Sequence, residues 1–196
     1  SNDINENFNT LTPAKFWLAV GTLEPRKNLR RLLNAYSVYV KKLDNALPLV
    51  LAGGKGWLED DLERVVAKLD IAHKVEFLGY VSDEALSWLY RNCFGFLYPS
   101  LYEGFGLPVL EAMSRGAAVI VSNATSIPEV AGEAAHYVNP LIENEIVEAI
   151  CVLAENAEYR ENLQNLAFRQ AQKFSWQRCA SEVIEIYNHV KTLSKR

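Results

Sequence analysis

The chain has 196 residues, of which 49% are hydrophobic, so it is long enough for one α/β domain that buries roughly two-thirds of its unfolded surface. Its net charge of −4 and the lack of a long basic run exclude a nucleic-acid backbone as the main partner. Three widely spaced cysteines, Cys93, Cys151 and Cys179, indicate neither a zinc site nor a disulfide framework and fit a reducing, cytoplasmic compartment.

Strands and helices are predicted to alternate along most of the chain, after a polar tail or linker at residues 1–15. Short apolar runs bounded by glycine, proline or polar residues predict strands at 16–20, 47–52, 75–78, 94–98, 117–121 and 135–138. Helices are predicted at 29–42, 57–69, 82–91, 107–115 and 126–129, with Ser126 as the cap of the last one. From residue 142 onward only helical spacing occurs, which predicts three further helices, the last two at 159–174 and 175–193. No apolar run reaches the roughly 18 residues of a membrane span, and we expect no signal peptide.

Alternating buried strands and helices are typical of a parallel sheet with helices on both faces. Ligands bind to such sheets beyond the carboxyl ends of the strands. Those ends carry Gly21, Gly53-Gly54, Gly79, the loop around Glu103, and Ser122-Asn123. The sequence therefore predicts a ligand site along this edge of the sheet.

A buried strand and a helix are joined by the stretch Glu103-Gly104-Phe105-Gly106-Leu107-Pro108-Val109-Leu110-Glu111. Pro108 suits a first helical turn because its missing N–H is one of the unpaired donors there. A glycine-containing turn lets backbone N–H groups approach a phosphate, and the helix N-terminus adds about half a positive charge. Glu103 and Glu111 are good acceptors for sugar hydroxyls. Taken alone, these residues are equally compatible with solvated acids and plain turn glycines.

The loop after the first strand, residues 21–28, contains Arg26 and Lys27 close to a helix start. The planar guanidinium and the compact ammonium group both suit a diphosphate. Cations are slightly unfavourable at a helix N-terminus, which favours a ligand over the alternative of two solvated side chains. The loop matches neither a Walker A loop nor a G-x-G-x-x-G fingerprint.

Two further strand ends allow more than one interpretation. Gly53-Gly54-Lys55-Gly56 is interpreted first as a chain turn and second as a segment near a phosphate, with a solvated Lys55 as the alternative. Gly79-Tyr80-Val81-Ser82 suits either the edge of a nucleobase or a plain turn with a helix cap. His73, His136 and His189 are scattered, and we find neither a catalytic triad nor metal-ligand spacing. The sequence therefore offers no obvious proton-transfer residue.

Taken together, these motifs resemble the retaining, family-four glycosyltransferases, the group 1 enzymes with a GT-B fold. Glu103 and Glu111 match the E-x7-E motif of that family. The other matches, in the family's order, are Gly21 with Glu24-Pro25-Arg26-Lys27-Asn28, Gly53-Gly54-Lys55-Gly56-Trp57, Val75-Glu76-Phe77-Leu78-Gly79, Tyr98-Pro99-Ser100, Ser126-Ile127-Pro128-Glu129-Val130 and Phe174-Ser175-Trp176. This series covers residues 16–190.

The resemblance implies a Rossmann-like three-layer α/β sandwich with a mainly parallel sheet, the C-terminal domain of a GT-B fold. The nucleotide-sugar-binding domain would comprise residues 16–174. A C-terminal helix at 175–196 would pack toward the family's N-terminal domain, which carries the acceptor site and has no counterpart in these residues. The isolated chain is therefore expected to bind donor but scarcely to transfer sugar.

The resemblance also implies roles for residues around the donor phosphates. Lys27 with Arg26 would bind the diphosphate, and the backbone N–H groups of residues 104–106 would face the phosphates. The predicted donor-binding residues are Gly21, Arg26, Lys27, Gly79, Val81, Glu103, Gly104, Phe105, Gly106, Leu107 and Glu111. Many family members have arginine where this chain has Thr22, which shifts that phosphate role to Arg26 or weakens it. No metal is expected, because cations and the helix N-terminus stabilise the leaving diphosphate.

For the sugar and the nucleoside, Glu103 is the predicted catalytic residue and would hold hydroxyls of the transferred sugar. Glu111 would accept from the ribose hydroxyls. Gly79 and Val81 would lie near the base, and Leu107 near the ribose or the phosphates.

The implied function is transfer of a hexose, with mannose preferred, from a GDP- or UDP-linked sugar to a saccharide or lipid-linked acceptor in polysaccharide biosynthesis. No cofactor is expected. The resemblance allows peripheral association of the full-length protein with the inner face of a membrane. The alternative is a non-catalytic nucleotide-binding module with a regulatory or scaffolding role. A sugar-nucleotide epimerase ranks last because its acidic and histidine catalytic residues are not found.

Overall fold

The structure is a computed structural model that describes residues 11–54 and 59–193. The strands are β1 Trp17–Val20, β2 Leu49–Ala52, β3 Val75–Gly79, β4 Gly95–Tyr98, β5 Val119–Ser122 and β6 His136–Val138. The α-helices are α1 Leu29–Lys42, α2 Glu59–Lys68, α3 Asp83–Asn92, α4 Leu107–Ser114, α5 Ile127–Ala131, α6 Glu143–Glu155, α7 Ala157–Ala171 and α8 Trp176–Leu193. Short 3-10 helices lie at Pro25–Lys27 and Ala72–Lys74.

The six strands form one sheet in the order β3-β2-β1-β4-β5-β6. All neighbouring strands pair in parallel, which confirms the predicted parallel sheet. The chain order runs outward from β1 in one direction and from β4 in the other. The chain therefore continues from β1 and from β4 toward opposite edges of the sheet, and the loops after these two strands flank the topological switch point, where doubly wound sheets bind ligands.

Helices cover both faces of the sheet because successive residues of a strand point to opposite sides. Trp17 and Ala19 lie in the core that α1, α2 and α6 cover, whereas Leu18 lies in the core under α3, α4, α5 and α7. Complete burial of one large apolar side chain contributes about 1.5–3 kcal/mol. A Cβ atom at Gly95 would lie 2.5 Å from the Trp17 ring, so the indole needs glycine on the neighbouring strand.

The sequence placed most elements within two residues of their observed bounds. Helix α1 has the predicted bounds, and Ser82 caps α3 by accepting a hydrogen bond from the Ala85 N–H at 3.2 Å. The helix predicted at 159–174 is α7, which begins and ends earlier. Part of the predicted 57–69 helix, at positions 57 and 58, and most of the predicted 1–15 tail lie outside the described residues.

Helix α8 differs from the others because its residues 176–191 are all exposed. The exposed fractions reach 77% for Trp176, 58% for Ile184 and 71% for Tyr187. These three side chains recur with helical spacing, so they share one face of the helix. Within the described ranges, no helix is both long enough and apolar enough to traverse a lipid bilayer.

Candidate functional site

Two loops come together at the switch point and fix each other. The 3-10 helix at Pro25–Lys27 follows β1, and the N–H of Leu101, in the loop after β4, donates to the carbonyl of Arg26 at 2.8 Å. Asn28 ends the 3-10 helix in the left-handed region, with a φ of 59°. Its side-chain amide donates to the carbonyls of Pro99 at 3.0 Å and Pro140 at 2.7 Å. The cations before Asn28 are thereby held against the loop that carries Glu103.

Lys27, Arg26 and Glu103 form a compact charged cluster, which brings together the central residues predicted from the sequence. The Lys27 Nζ donates to Glu103 Oε1 at 2.8 Å, and an Arg26 Nη donates to Glu103 Oε2 at 2.8 Å. Lys27 is only 6% exposed and Glu103 only 8%, so the pair is largely removed from water. Arg26 remains more open, with 42% of its side chain exposed.

Gly21 and Tyr98 define the space of the Lys27 ammonium group. Gly21 has a φ of 142°, and a Cβ atom there would lie 2.8 Å from Lys27 Cε. Glycine is required for both reasons, since a side chain would displace the lysine. The Lys27 Nζ also donates to the buried Tyr98 hydroxyl and lies 4.6 Å from the centre of the Tyr98 ring. The ammonium is thus held by a carboxylate, a phenol and an aromatic face.

The three charges shift one another's pKa values. Burial acts to raise the pKa of Glu103, but hydrogen bonds to its carboxylate, that of Lys27 first, together with the positive charge of Lys27 lower it overall. Burial lowers the pKa of Lys27 against the opposing effect of the Glu103 carboxylate. Burial also opposes the charge on Arg26, yet Glu103 and Glu24 raise its pKa. Glu103 is therefore ionised at neutral pH, and the cluster carries one more positive than negative charge before Glu24 is counted.

The N-terminus of α4 presents unpaired backbone donors beside this cluster. Gly106 occupies the N-cap with a φ of 106°, and a Cβ atom there would lie 2.7 Å from Ile127 Cδ1. Among the residues that the structure describes, none accepts a hydrogen bond from the N–H groups of Gly104, Phe105, Gly106 or Leu107. Successive free N–H groups at a helix start form a binding site for an anion.

Glu111 lies on the second turn of α4 and is exposed. One of its carboxylate oxygens accepts a hydrogen bond from the buried Tyr90 hydroxyl at 3.2 Å. Burial raises the pKa of Tyr90, and the charge of Glu111 raises it further. The buried Tyr90 hydroxyl therefore orients the Glu111 carboxylate, which keeps further lone pairs open to solvent. No hydrogen bond in the described ranges joins it to the Glu103 cluster.

Gly79 and Val81 lie at the end of β3, on the same rim of the sheet but two strands away from β1. Gly79 has a φ of 66°, and its carbonyl accepts from the Gly53 N–H at 2.8 Å. A Cβ atom at Gly53 would lie 2.1 Å from the Gly21 carbonyl oxygen, so the end of β2 contacts the end of β1. Gly53 thus turns the chain, as expected, and Lys55 lies outside the described residues.

The loop between β5 and α5 contributes residues that were not predicted as part of the site. Ser126 occupies the N-cap position of α5, but the expectation of a capping side chain is wrong, because its hydroxyl makes no cap hydrogen bond. It donates instead to the carbonyls of Glu103 and Phe105. Thr125 accepts from the Glu103 N–H at 3.1 Å. The sequence carried no signal for these contacts, since they join loops about 20 residues apart.

Two other features do not belong to this cluster. His136 lies on β6, and its Nδ1 is 3.1 Å from the Tyr159 hydroxyl oxygen. Burial lowers the pKa of His136. A cavity of about 300 Å³ lies before β1 and β4, at the opposite ends of these strands, and is lined by Ala14, Lys15, Cys93, Phe94, Arg160, Glu161 and Gln164. In the described ranges, no group of three or more histidine, cysteine or acidic side chains is arranged to hold a metal ion.

The fold and the site define a Rossmann-like α/β domain with a cationic, N–H-lined rim at its switch point. Residues 2–170 match the family model of the glycosyl transferases group 1. The O-antigen chain mannosyltransferase B of Escherichia coli is 42% identical over 170 residues, which cover 87% of this chain and 45% of that protein. The chain therefore belongs to the group 1 glycosyltransferases, as the resemblance predicted, and it spans less than half the length of this relative.

Solved structures agree with this fold. The C-terminal domain of the group 1 family protein LpcC from Francisella tularensis matches with a TM-score of 0.74 and 22% identity, over 88% of this chain and 93% of that one. Anabaena HepE in complex with UDP and glucose matches with a TM-score of 0.80 and 21% identity, over 95% of this chain and 52% of that one. The expected C-terminal-domain architecture of a GT-B enzyme is confirmed.

Proposed function

We propose that this chain is the donor-binding domain of a retaining glycosyltransferase that moves a hexose, mannose first, from a GDP- or UDP-linked sugar to a saccharide or lipid-linked acceptor. The observation that carries the proposal is the Lys27–Glu103–Arg26 cluster beside the open N-terminus of α4. The preference for mannose is supported by the mannosyltransferase that is 42% identical. The acceptor site would come from the remainder of the full-length protein.

The diphosphate would bind where Lys27, Arg26 and the N–H groups of residues 104–107 converge. Breaking the bond between sugar and phosphate leaves negative charge on the nucleoside diphosphate. Fixed cations and backbone donors stabilise such developing charge without having to reorganise. Because Arg26 is partly exposed, its guanidinium can turn from Glu24 and Glu103 toward an incoming phosphate.

Glu103 would hold hydroxyls of the transferred sugar. In the structure both of its carboxylate oxygens accept hydrogen bonds from cations. When these cations turn to the phosphates, lone pairs on the carboxylate become available to hydroxyl donors. The two cations of the cluster would thus bind the phosphates of the donor, and its carboxylate would bind the sugar.

The nucleoside would extend along the rim of the sheet from α4 toward β3. Glu111, exposed and supported by Tyr90, would accept from the ribose hydroxyls. Gly79 and Val81, at the end of β3, would lie beside the base. Leu107, which is 46% exposed, would cover the ribose or the phosphates with an apolar surface.

Helix α8 would pack on the N-terminal domain of the full-length enzyme. Its exposed Trp176, Ile184 and Tyr187 form an apolar face for which the described part of this domain offers no cover. Large exposed apolar faces mark interaction sites.

The full-length protein would work in the cytoplasm, peripherally at the inner face of a membrane when its acceptor is lipid-linked.

The proposal is tested by titrating the 196-residue chain calorimetrically with GDP, UDP and their mannose- and glucose-linked forms. One base should bind clearly better than the other, and Lys27→Ala should weaken its binding. A charge-assisted hydrogen bond contributes about 1.5–3 kcal/mol, so we expect roughly a tenfold to hundredfold loss.

The matched control is Lys41→Ala, which removes an exposed lysine from the end of α1. It should bind like the unmodified chain. Unchanged affinity in Lys27→Ala would remove this lysine from the site. A full-length protein that binds donor but transfers no sugar would favour the regulatory or scaffolding alternative.

A further inference from the structure

Two hydroxyl groups from the β5–α5 loop form hydrogen bonds with backbone groups of the turn between β4 and α4. The Ser126 Oγ donates to the Glu103 carbonyl at 3.0 Å and to the Phe105 carbonyl at 2.9 Å. A hydroxyl has one hydrogen, so both carbonyls share it in a three-centre bond. The Thr125 Oγ1 accepts from the Glu103 N–H at 3.1 Å. Three backbone groups of the turn are thus fixed by two neighbouring side chains.

These contacts determine where the free N–H groups of the turn point. In a trans peptide unit the carbonyl and the following N–H point in opposite directions. The described ranges contain no cis peptide bond. Holding the Glu103 carbonyl toward Ser126 therefore turns the Gly104 N–H away from it, and holding the Phe105 carbonyl does the same for the Gly106 N–H. Both belong to the N–H groups that donate to no described residue.

The conformation of Thr125 is unusual for its residue type. Its φ of 55° lies in the left-handed region, which β-branched residues rarely adopt. Backbone of this kind persists where surrounding contacts determine it, often at functional sites. In this loop the left-handed backbone of Thr125 occurs where the hydroxyls of Thr125 and Ser126 both contact the Glu103 turn. The Glu103 side chain meanwhile binds Lys27 and Arg26.

We propose that Ser126, assisted by Thr125, is a positioning residue that directs the N–H groups of Gly104 and Gly106 toward the diphosphate of the donor. It acts through the backbone of the turn and makes no contact with the ligand itself. The inference rests on the proposed function, since it assigns a cause to the direction of the donors that would bind the phosphates.

The test compares Ser126→Ala, Ser126→Thr and Ser37→Ala in the 196-residue chain, titrated with GDP, UDP and inorganic pyrophosphate. Ser37 is the matched control because its buried side chain donates to a backbone carbonyl, that of Asn34 at 2.7 Å, within α1. We expect Ser126→Ala to weaken both the better-bound nucleotide and pyrophosphate by about threefold to tenfold, the size of one net hydrogen bond. Ser126→Thr, which keeps the hydroxyl, and Ser37→Ala should stay within about twofold of the unmodified chain.

Melting temperatures separate positioning from general stability. Ser126→Ala and Ser37→Ala should both lower the melting temperature slightly, yet only Ser126→Ala should weaken binding. Wild-type affinity in Ser126→Ala, equal weakening in Ser126→Thr, or equal weakening in Ser37→Ala would each overturn the positioning role. If Lys27→Ala weakens binding and Ser126→Ala does not, only this inference fails. If neither Lys27→Ala nor Ser126→Ala weakens binding, the proposed diphosphate site fails together with this inference.

Discussion

The rim at β1 and β4 and the helix α8 depart from ordinary burial in opposite directions. At the rim, Lys27 and Glu103 are charged and almost completely buried. On α8, Trp176 and Tyr187 are apolar and largely exposed. Each arrangement costs free energy in an isolated domain, the first through desolvation of charge and the second through contact of apolar surface with water. The proposed function assigns a partner to both regions, a charged ligand at the rim and an apolar domain surface at α8.

The largest effect is expected from Glu103→Gln, which tests the rim directly. In the full-length enzyme we expect sugar transfer to fall on the order of 100-fold or more, as for loss of one group that stabilises a transition state. Binding of the nucleoside diphosphate to the chain should stay equal or become tighter, because Lys27 and Arg26 lose a competing carboxylate. Initial rates and calorimetry measure the two quantities. Glu155→Gln, an exposed acid at the end of α6, is the control, and a parallel loss of transfer and diphosphate binding would contradict the sugar role.

A smaller effect is expected from Glu111→Ala, which separates the nucleoside from the phosphates. Loss of hydrogen bonds from the ribose should weaken nucleoside diphosphate binding by about 1 kcal/mol, or roughly fivefold. Inorganic pyrophosphate, which has no ribose, should bind with unchanged affinity. Tyr90→Phe removes the hydroxyl that orients Glu111 and should give an intermediate loss. Equal weakening of both ligands by Glu111→Ala would show that this acid acts on the phosphates or on the fold.

The pH dependence of stability gives a further test of the buried pair. The pKa of Glu103 is lowered from 4.5, so its contribution to stability is complete above about pH 4.5 and is lost as the pH falls through the lower, folded value. Melting temperatures of the chain should therefore fall more steeply below pH 4.5 than those of Glu103→Gln. Parallel curves from pH 7 to pH 3 would mean that Glu103 is not stabilised as an anion in the folded chain.

The smallest effect on the chain itself is expected from Ile184→Glu on α8. Exposed substitutions usually change the unfolding free energy by less than about 0.5 kcal/mol, so the melting temperature of the chain should hardly change. In the full-length protein the same charge would enter the proposed domain contact and should lower the melting temperature and the rate of transfer. Glu185→Lys, the neighbouring exposed residue, serves as the control. A full-length protein that tolerates Ile184→Glu would show that this face of α8 has no partner domain.

Local patterns explain why much of the fold was predictable. The bounds of α1 followed from its helical spacing, and short apolar runs located the strands. The signal was clearest for the four inner strands β1, β2, β4 and β5, which are buried on both faces, whereas the edge strands β3 and β6 are only partly buried. The strand order was not predicted, since the sequence does not state which parallel strands are neighbours. The helix predicted at 159–174 ends at Ala171, and the N–H groups of Lys173 and Phe174 donate to carbonyls three residues earlier, as in a turn.

The residues of the site were more predictable than their contacts. Lys27 and Glu103 were identified separately, one from its place at a helix start and the other from the E-x7-E motif. Their ion pair joins positions 76 residues apart, which no local pattern specifies. The role of Ser126 was missed because a serine before Ile127-Pro128 is also the ordinary signature of a helix cap. Only the packing of the β5–α5 loop against the Glu103 turn decides between the two uses of its hydroxyl.

The contact between the two glycine-bearing strand ends has a consequence for protein engineering. Gly53 meets the Gly21 carbonyl, and Gly21 in turn leaves room for Lys27, so a methyl group added at either glycine would disturb the same lysine. An attempt to alter the proposed donor specificity should therefore keep both glycines fixed. Variation belongs instead at the outer, solvent-facing positions of the rim, such as Tyr80, where new side chains leave the lysine undisturbed.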